Sequence, residues 1–173
     1  MTVNTAVRAG ANKPSVSGGL AGDLKWAWGT IEVTSNPAPS DTFVMCKLPK
    51  GAMIVGGELL GDKLDSTGSG SACLTINIGV DKAVTAADGT AVSASSTSNA
   101  LGASWALGPD AAAVTGYKPE TGRKLPLGGL LMSNSYLLTS DECNAVVTVI
   151  TSANGLTTGT LTLAVAYYQS QSS

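Results

Sequence analysis

Strict alternation of apolar and other residues marks two long stretches of the chain. Every second residue is large and apolar in Leu74, Ile76, Ile78 and Val80 and again in Leu161, Leu163, Val165 and Tyr167. Successive side chains of a β-strand point to opposite faces, so this pattern is typical of strands with one buried face. About eight such strands, separated by turn-forming residues, predict an all-β fold, an antiparallel β-sandwich with jelly-roll-like connections.

The first 22 residues are small or polar and show no clear period. Two interpretations stay open for them, an extended arm that orders against a neighbour and a disordered tail. We predict an arm over 1–22 and a single sandwich domain over 23–173, since a chain of this length can bury one core. Residues 1–22 lack the continuous apolar segment of a signal peptide, and no apolar run approaches the ~20 residues of a membrane helix, so we expect synthesis in a cytoplasm and no membrane partner.

Glycine and proline predict several local features. Gly29 predicts a bulge or bend in its strand, and Gly56-Gly57 predicts a bulge in another. The segment Leu48-Pro49-Lys50-Gly51 has the residues of a type I turn, with proline second and glycine fourth. Residues 98–107 are compatible with a short helix or with an excursion at the rim of a sheet.

The strand over residues 43–48 is apolar on both predicted faces. Phe43 and Met45 share one face, while Val44, Cys46 and Leu48 share the other. Such a strand is either covered on both sides or forms half core and half subunit interface.

Trp26 and Trp28 lie two residues apart, so a strand places both on one face. Aromatic side chains are enriched in cores and in protein interfaces. Core packing or a subunit contact is therefore favoured over a platform that stacks on carbohydrate.

Charge and composition argue against several classes of function. The chain has no histidine, which removes the commonest general base and metal ligand. Only 13% of residues are charged, with a net charge of −2, and lysine and arginine form no basic stripe, so we expect no nucleic-acid partner. The three cysteines have no CxxC spacing. We predict no metal and no cofactor.

The acidic residues do not predict a catalytic or metal site. Asp62 and Asp65 lack the ligand spacing of a calcium loop and are interpreted as solvated turn carboxylates. Glu58, Asp141 and Glu142 show no pattern that would bring two carboxylates to one cleft. The segment Gly56–Lys63 resembles a phosphate loop only superficially, because Asp62 separates its last glycine from the lysine. We predict no catalytic residue.

The cysteines are predicted to differ in their surroundings. Cys46 is expected among core residues and Cys73 on the opposite, outward side of its strand. Cys143 is expected in a turn, where the neighbouring acids raise its pKa and leave an inert thiol.

One resemblance adds to this picture. The order of Trp26-Ala27-Trp28-Gly29, Ile31–Thr34, Cys46–Ala52 and Leu74–Asp81 resembles the capsid decoration or cement proteins of tailed bacteriophages. The resemblance implies a β-rich protein of the virion that clusters, with trimers favoured, on the outer capsid surface and clamps neighbouring subunits of the major capsid protein. The candidate residues for contact with another subunit or with the capsid are Trp26, Trp28, Phe43, Met45, Arg8 and Lys13. The alternatives are a fibre, spike or adhesin module that binds host glycans and, less favoured, an unusual hydrolase.

Overall fold

A computed structural model of the protein describes residues 3–5, 24–62, 64–65, 74–93, 97–106, 123–127, 134, 136–152 and 158–169. The regular elements of these ranges are strands: β1 (Val3–Thr5), β2 (Leu24–Val33), β3 (Thr42–Leu48), β4 (Ala52–Gly61), β5 (Thr75–Val80), β6 (Val84–Ala86), β7 (Ala91–Val92), β8 (Gly102–Ala106), β9 (Arg123–Pro126), β10 (Leu137–Thr139), β11 (Cys143–Thr151) and β12 (Gly159–Gln169). The all-β prediction is confirmed. In the described part of the chain, no helix has the length and apolar character to cross a membrane.

The strands form two sheets. Sheet A has the order β1-β3-β11-β5-β8, and sheet B has the order β2-β12-β4-β10-β6-β7, with β9 on the same side of β4 as β10 but farther along it. All pairs are antiparallel except β1 with β3. The antiparallel sandwich is confirmed, whereas the jelly-roll-like connections stay a prediction. Of the predicted arm, the described part is β1; the division into arm and domain also stays a prediction.

The core lies between the sheets and is built by the alternating strands. In β5 and β12 the inward side chains expose at most 1% of their surface: Ile76, Ile78, Val80, Leu161, Leu163, Val165 and Tyr167. Each buried side chain of this size stabilises the fold by roughly 1.5–3 kcal/mol in transfer terms. Burial also raises the pKa of Tyr167, whose hydroxyl has no hydrogen-bond partner in the described part of the chain.

A bulge in β3 changes which of its side chains are buried. Cys46 pairs with Ala145 and Val44 with Val146, so Met45 is the extra residue. The extra residue shifts the alternation by one position. The consequence is that Phe43, Met45 and Cys46 all expose 4% or less, although strict alternation places Cys46 on the face opposite the other two.

The turn predicted at Leu48–Gly51 forms one residue later, over Pro49–Ala52, so Gly51 is its third residue rather than its fourth. The Ala52 amide donates to the Pro49 carbonyl, at 3.2 Å, and Gly51 adopts φ 73°. Glycine at the third position with positive φ is the requirement of a type II turn, whereas the predicted type I turn has its glycine fourth. The buried Thr139 hydroxyl accepts from the Ala52 amide and donates to the Pro49 carbonyl, both at 2.8 Å. This turn carries the chain from sheet A to sheet B.

The bulge predicted at Gly29 was wrong. Gly29 lies inside β2, whose pairing with β12 runs without a shift from Leu24 to Val33, so no bulge forms there. Of the two alternatives for residues 98–107, the structure favours the one at the rim of a sheet, since residues 102–106 form β8, which pairs with β5 at the edge of sheet A. The turn before β8 explains this course, because the Leu101 amide donates to the Ile78 carbonyl, at 2.9 Å, and guides the chain onto β5.

The bulge predicted at Gly56-Gly57 is confirmed. Gly56 pairs with Ala166 and Ile54 with Tyr167, so Val55 is the extra residue of β4. Gly57 adopts φ 147°, a backbone conformation that favours glycine. The segment that superficially resembles a phosphate loop is therefore largely the bulged strand β4 and does not precede a helix.

Cys46 and Cys143 are both buried thiols. Cys46 lies in the core as predicted, and Cys143 begins β11 with 2% exposure instead of lying in a turn. Burial raises the pKa of each thiol to about 12; the charges of Asp81 and Glu142 add to the effect at Cys143. The inert character of Cys143 is thus mainly a consequence of burial. Cys73 lies outside the described residues.

The raised pKa values of these two thiols predict a loss of stability at alkaline pH. In the unfolded chain a thiol ionises near pH 9.0, whereas in the folded protein it keeps its proton up to about pH 12. Above pH 9 the unfolded state binds fewer protons, so the free energy of unfolding falls by up to about 1.4 kcal/mol per pH unit for each thiol. Urea unfolding from pH 8 to 11 measures this slope.

The matched control is the double variant Cys46→Ala/Cys143→Ala. Lysines and tyrosines titrate in the same window, but they are common to both proteins, so the difference in slope isolates the thiols. Parallel curves for the two proteins would contradict the prediction.

Candidate protein-contact surface

The pairing of β2 with β12 builds the outer face of sheet B at its edge. On this face Leu24 lies beside Tyr168, Trp26 beside Ala166 and Trp28 beside Ala164. Alternation in β2 sends Ala27, Ile31 and Val33 into the core and leaves the two tryptophans on the outside. The sequence pattern of β2 therefore fixes both a buried and an aromatic face.

Four large apolar side chains are exposed together on this face. Leu24, Trp26, Trp28 and Tyr168 expose 44%, 41%, 43% and 37% of their surface. They account for four of the five exposed large hydrophobic residues in the described part of the chain; the fifth, Ile150, lies in sheet A. We name this set the outer apolar patch. Contiguous exposed apolar surface of this kind marks contact sites for proteins or other ligands.

Polar side chains border the outer apolar patch at one end, where the hydroxyls of Thr30 and Thr162 are 2.8 Å apart across the strand pair. At the other end the Lys25 ammonium donates to Gln169 Oε1, at 2.9 Å, but alternation places Lys25 on the face of β2 opposite the patch. An apolar centre with a polar margin is the usual anatomy of a protein interface.

The structure separates the six predicted contact residues into three groups. Trp26 and Trp28 belong to the outer apolar patch. Phe43 and Met45 expose 4% and 0% and pack in the core, because the face of β3 that they share is directed towards the other sheet, so their side chains are not accessible to a partner. Arg8 and Lys13 lie outside the described residues.

Sequence reasoning missed the other two members of the patch. Leu24 precedes Trp26 by two residues, so the period that paired the tryptophans would also have found it. Tyr168 joins them only through the register of β12 with β2, which no local pattern contains.

The acidic residues considered for catalysis or calcium are held in separate places. Glu58 lies on β4 in sheet B, whereas Glu142 precedes β11 of sheet A and forms an ion pair with Lys47. Asp65 is fully buried and accepts from the Leu74 amide, at 2.9 Å, so the interpretation as a solvated carboxylate was wrong for it. Within the described ranges, no three cysteine or acidic residues form a group that could hold a metal.

A shallow depression of about 370 Å³ lies between the end of β2 and the start of β3. The loop of residues 34–41 forms much of its wall. Asp41 is buried there, and its carboxylate accepts from the Ala38 amide, at 2.9 Å. This carboxylate stabilises the loop itself, which accounts for an acidic residue at this position.

No family model matches the chain, and no curated protein matches it. Solved structures contain chains of the same fold. A chain from the capsid of Ralstonia phage GP4 is 20% identical, with a TM-score of 0.63, over 99% of this chain and 100% of that chain. A chain from the capsid asymmetric unit of cyanophage Pam1 is 19% identical, with a TM-score of 0.60, over 91% of this chain and 92% of that chain. Because the sequence identity to these chains is only 19–20%, the similarity shows a shared fold alone.

Proposed function

We propose that the protein is a structural component of a bacteriophage virion, made in the host cytoplasm, that decorates the outer surface of the capsid. It binds the major capsid protein and clamps neighbouring subunits. The trimeric cluster that the resemblance to capsid decoration proteins implies belongs to the same proposal. No residue is assigned a catalytic role.

The observation that carries this proposal is the extent of the fold similarity. The match to a chain from the GP4 phage capsid covers 99% of this chain and 100% of that one, so it is a likeness of whole chains rather than of a shared module. The outer apolar patch supports a role in adhesion independently, because it offers contact area without reactive groups.

The size of the patch sets the strength of a single contact. Its four side chains expose on the order of 350 Å² in total. Burial of that area is worth roughly 9 kcal/mol in gross transfer free energy. Association consumes about 4–15 kcal/mol, so one patch alone binds weakly. Repetition over a symmetric shell makes such contacts collectively strong through avidity.

Copy number in the virion tests the proposal. Quantitative mass spectrometry of purified virions is expected to find this chain at near-equal copy number with the major capsid protein. A few copies per particle would contradict decoration and favour a fibre or vertex component. Complete absence would remove the virion role.

Deletion of residues 1–22 tests the clamping mechanism. We expect the truncated chain to keep its cooperative unfolding transition and to bind capsids lacking the protein at least tenfold more weakly, because the predicted arm supplies part of the contact. Cosedimentation of capsids with both chains measures the affinity. Undiminished binding by the truncated chain would refute the role of the arm.

A second candidate is a fibre, spike or adhesin module that binds host glycans. The observation that favours it is the pair Trp26 and Trp28, exposed two residues apart on one face, since aromatic faces can stack on sugar rings. A glycan array separates the candidates. Binding that Trp28→Ala abolishes would support the adhesin, and an array without hits would count against it.

A further inference from the structure

Two of the three cysteines meet on the inner face of sheet A. In the pairing of β3 with β11, Cys46 lies opposite Ala145 and Cys143 lies opposite Leu48, so the two cysteines are diagonal neighbours. Both pairs are on the same side of the β3 bulge, where the register is regular. All four side chains belong to the hydrophobic core. The register of the strands brings these thiols together, which the spacing of the cysteines in the sequence does not show.

The spacing of the two cysteines does not suit a disulfide. Diagonal neighbours of an antiparallel pair have Cα atoms about 7–8 Å apart, whereas cysteines more than ~7 Å apart cannot be bridged without backbone movement. A bond between a metal ion and a thiolate is about 2.3 Å long, so an ion bound in line between two sulfurs spaces them by about 4.6 Å. The diagonal arrangement therefore suits two sulfurs bridged by an ion better than two sulfurs bonded directly.

A third polar group of the core lies near these thiols. Tyr167 of sheet B exposes 0% of its surface, and its hydroxyl has no hydrogen-bond partner in the described part of the chain. Burial raises the pKa of Tyr167, and the charge of Cys46 adds to the effect. Burial also raises the pKa of Cys46, with a further contribution from Cys143. The three groups are therefore close enough for their charges to interact, and a buried hydroxyl beside two thiols is available as a donor.

We propose that Cys46, Cys143 and Tyr167 form a binding site for a soft monovalent cation, Cu(I), which lies in line between the two sulfurs. Soft thiolate ligands select Cu(I), and two of them suffice for this geometry. A structural Zn²⁺ site takes four ligands, and in the ranges that the structure describes no three cysteine or acidic residues are grouped. The Tyr167 hydroxyl donates a hydrogen bond to one of the thiolates, in the way that outer groups orient metal ligands.

Binding exchanges two protons for one cation. Both S–H bonds break, the two protons leave to solvent, and two Cu–S bonds form, so two neutral thiols and Cu(I) become a complex with one negative charge. Copper stays monovalent, so no oxidant or reductant takes part. Burial raises the pKa of each thiol to about 12, but a thiol that coordinates an ion is deprotonated by the charge of that ion. The hydrogen bond from Tyr167 stabilises the remaining negative charge.

The start of β11 provides a route of entry for the ion. Cys143 is the first residue of β11, and the preceding Glu142 has a side chain that is 60% exposed. Strand ends open at a small free-energy cost, and such an opening would expose the Cys143 thiol. The Glu142 carboxylate attracts a cation to this end of the strand.

Competition for Cu(I) with the chelator bicinchoninate tests the site in the purified full chain, with a reductant present to keep the copper monovalent. We expect one Cu(I) per chain. Cys46→Ala and Cys143→Ala are each expected to lower the affinity more than about 100-fold, because one sulfur ligand remains. Tyr167→Phe is expected to lower it about 10–100-fold, the usual effect of removing a group that orients a metal ligand. Cys73→Ser is the matched control and is expected to bind Cu(I) unchanged.

X-ray absorption at the copper edge counts the sulfur neighbours of the bound ion without any variant, and circular dichroism verifies that the variants fold. Two sulfur neighbours are expected. Three sulfurs, or no uptake of Cu(I) by the folded chain, would overturn the inference. So would unchanged affinity in Cys143→Ala, weakened affinity in Cys73→Ser, or equal retention of Zn²⁺. None of these outcomes bears on capsid binding, which virion composition measures separately.

Discussion

Replacement of Gly57 with alanine is expected to lower the free energy of unfolding by about 4 kcal/mol, from backbone strain and overpacking together. A Cβ at this position would lie 2.2 Å from the Ala164 carbonyl oxygen and 2.7 Å from Leu127 Cδ1. The backbone φ of 147° is also one that alanine rarely adopts. Neither the central strand β12 nor the bulge of β4 can move away without disturbing the pairing between them. Urea unfolding measures the effect.

Gly56→Ala is the matched control for this substitution. Gly56 is the adjacent residue of the same bulge, yet a Cβ there meets no atom within 4 Å. We expect a change of less than about 1 kcal/mol. Equal effects of the two substitutions would show that the close approach of β4 to β12 at Gly57 does not limit stability.

Met45→Ala is expected to destabilise the domain by about 2–5 kcal/mol, the range for truncation of a fully buried methionine. Met45 exposes 0% of its surface and belongs to the hydrophobic core, so its side chain fills space between the sheets. This substitution separates the two interpretations of the apolar strand 43–48. A core residue affects the unfolding transition of the isolated chain, whereas an interface residue affects association.

Trp28→Ala provides the comparison for Met45→Ala. Trp28 is 43% exposed at the sheet edge, so its truncation is expected to cost less than half as much unfolding free energy. Urea denaturation of both variants measures the difference. An unchanged unfolding midpoint for Met45→Ala would contradict its placement in the core.

The strands were predictable from the sequence wherever one face is buried and the alternation is unbroken. Leu74–Val80 and Leu161–Tyr167 are examples, because period-two alternation directly reports burial of one face. In β3 the alternation did not predict burial correctly at Cys46, because a bulge interrupts the strand. Its bulge is opposite Ala145 and Val146, and a bulge depends on the partner strand, which the local sequence does not specify.

The contact surface was only half predictable for a related reason. Trp26 and Trp28 share a face by spacing alone, and strand formation was enough to place them together. Whether that face is inside or outside depends on which side of β2 the second sheet covers. Tyr168 enters the patch only because β12 pairs with β2, a pairing between residues far apart in the chain. Non-local pairing is the information that local patterns lack.

The position of β12 has a consequence for biosynthesis. β12 is the last of the described strands, yet it lies between β2 and β4, which come early in the chain. At a translation rate of 5–20 residues per second, on the order of ten seconds pass between the synthesis of β2 and the synthesis of its partner β12. Sheet B therefore cannot close until β12 has been synthesised. A chain that stops short of β12 cannot complete the sandwich, so synthesis of β12 is a condition for a folded domain.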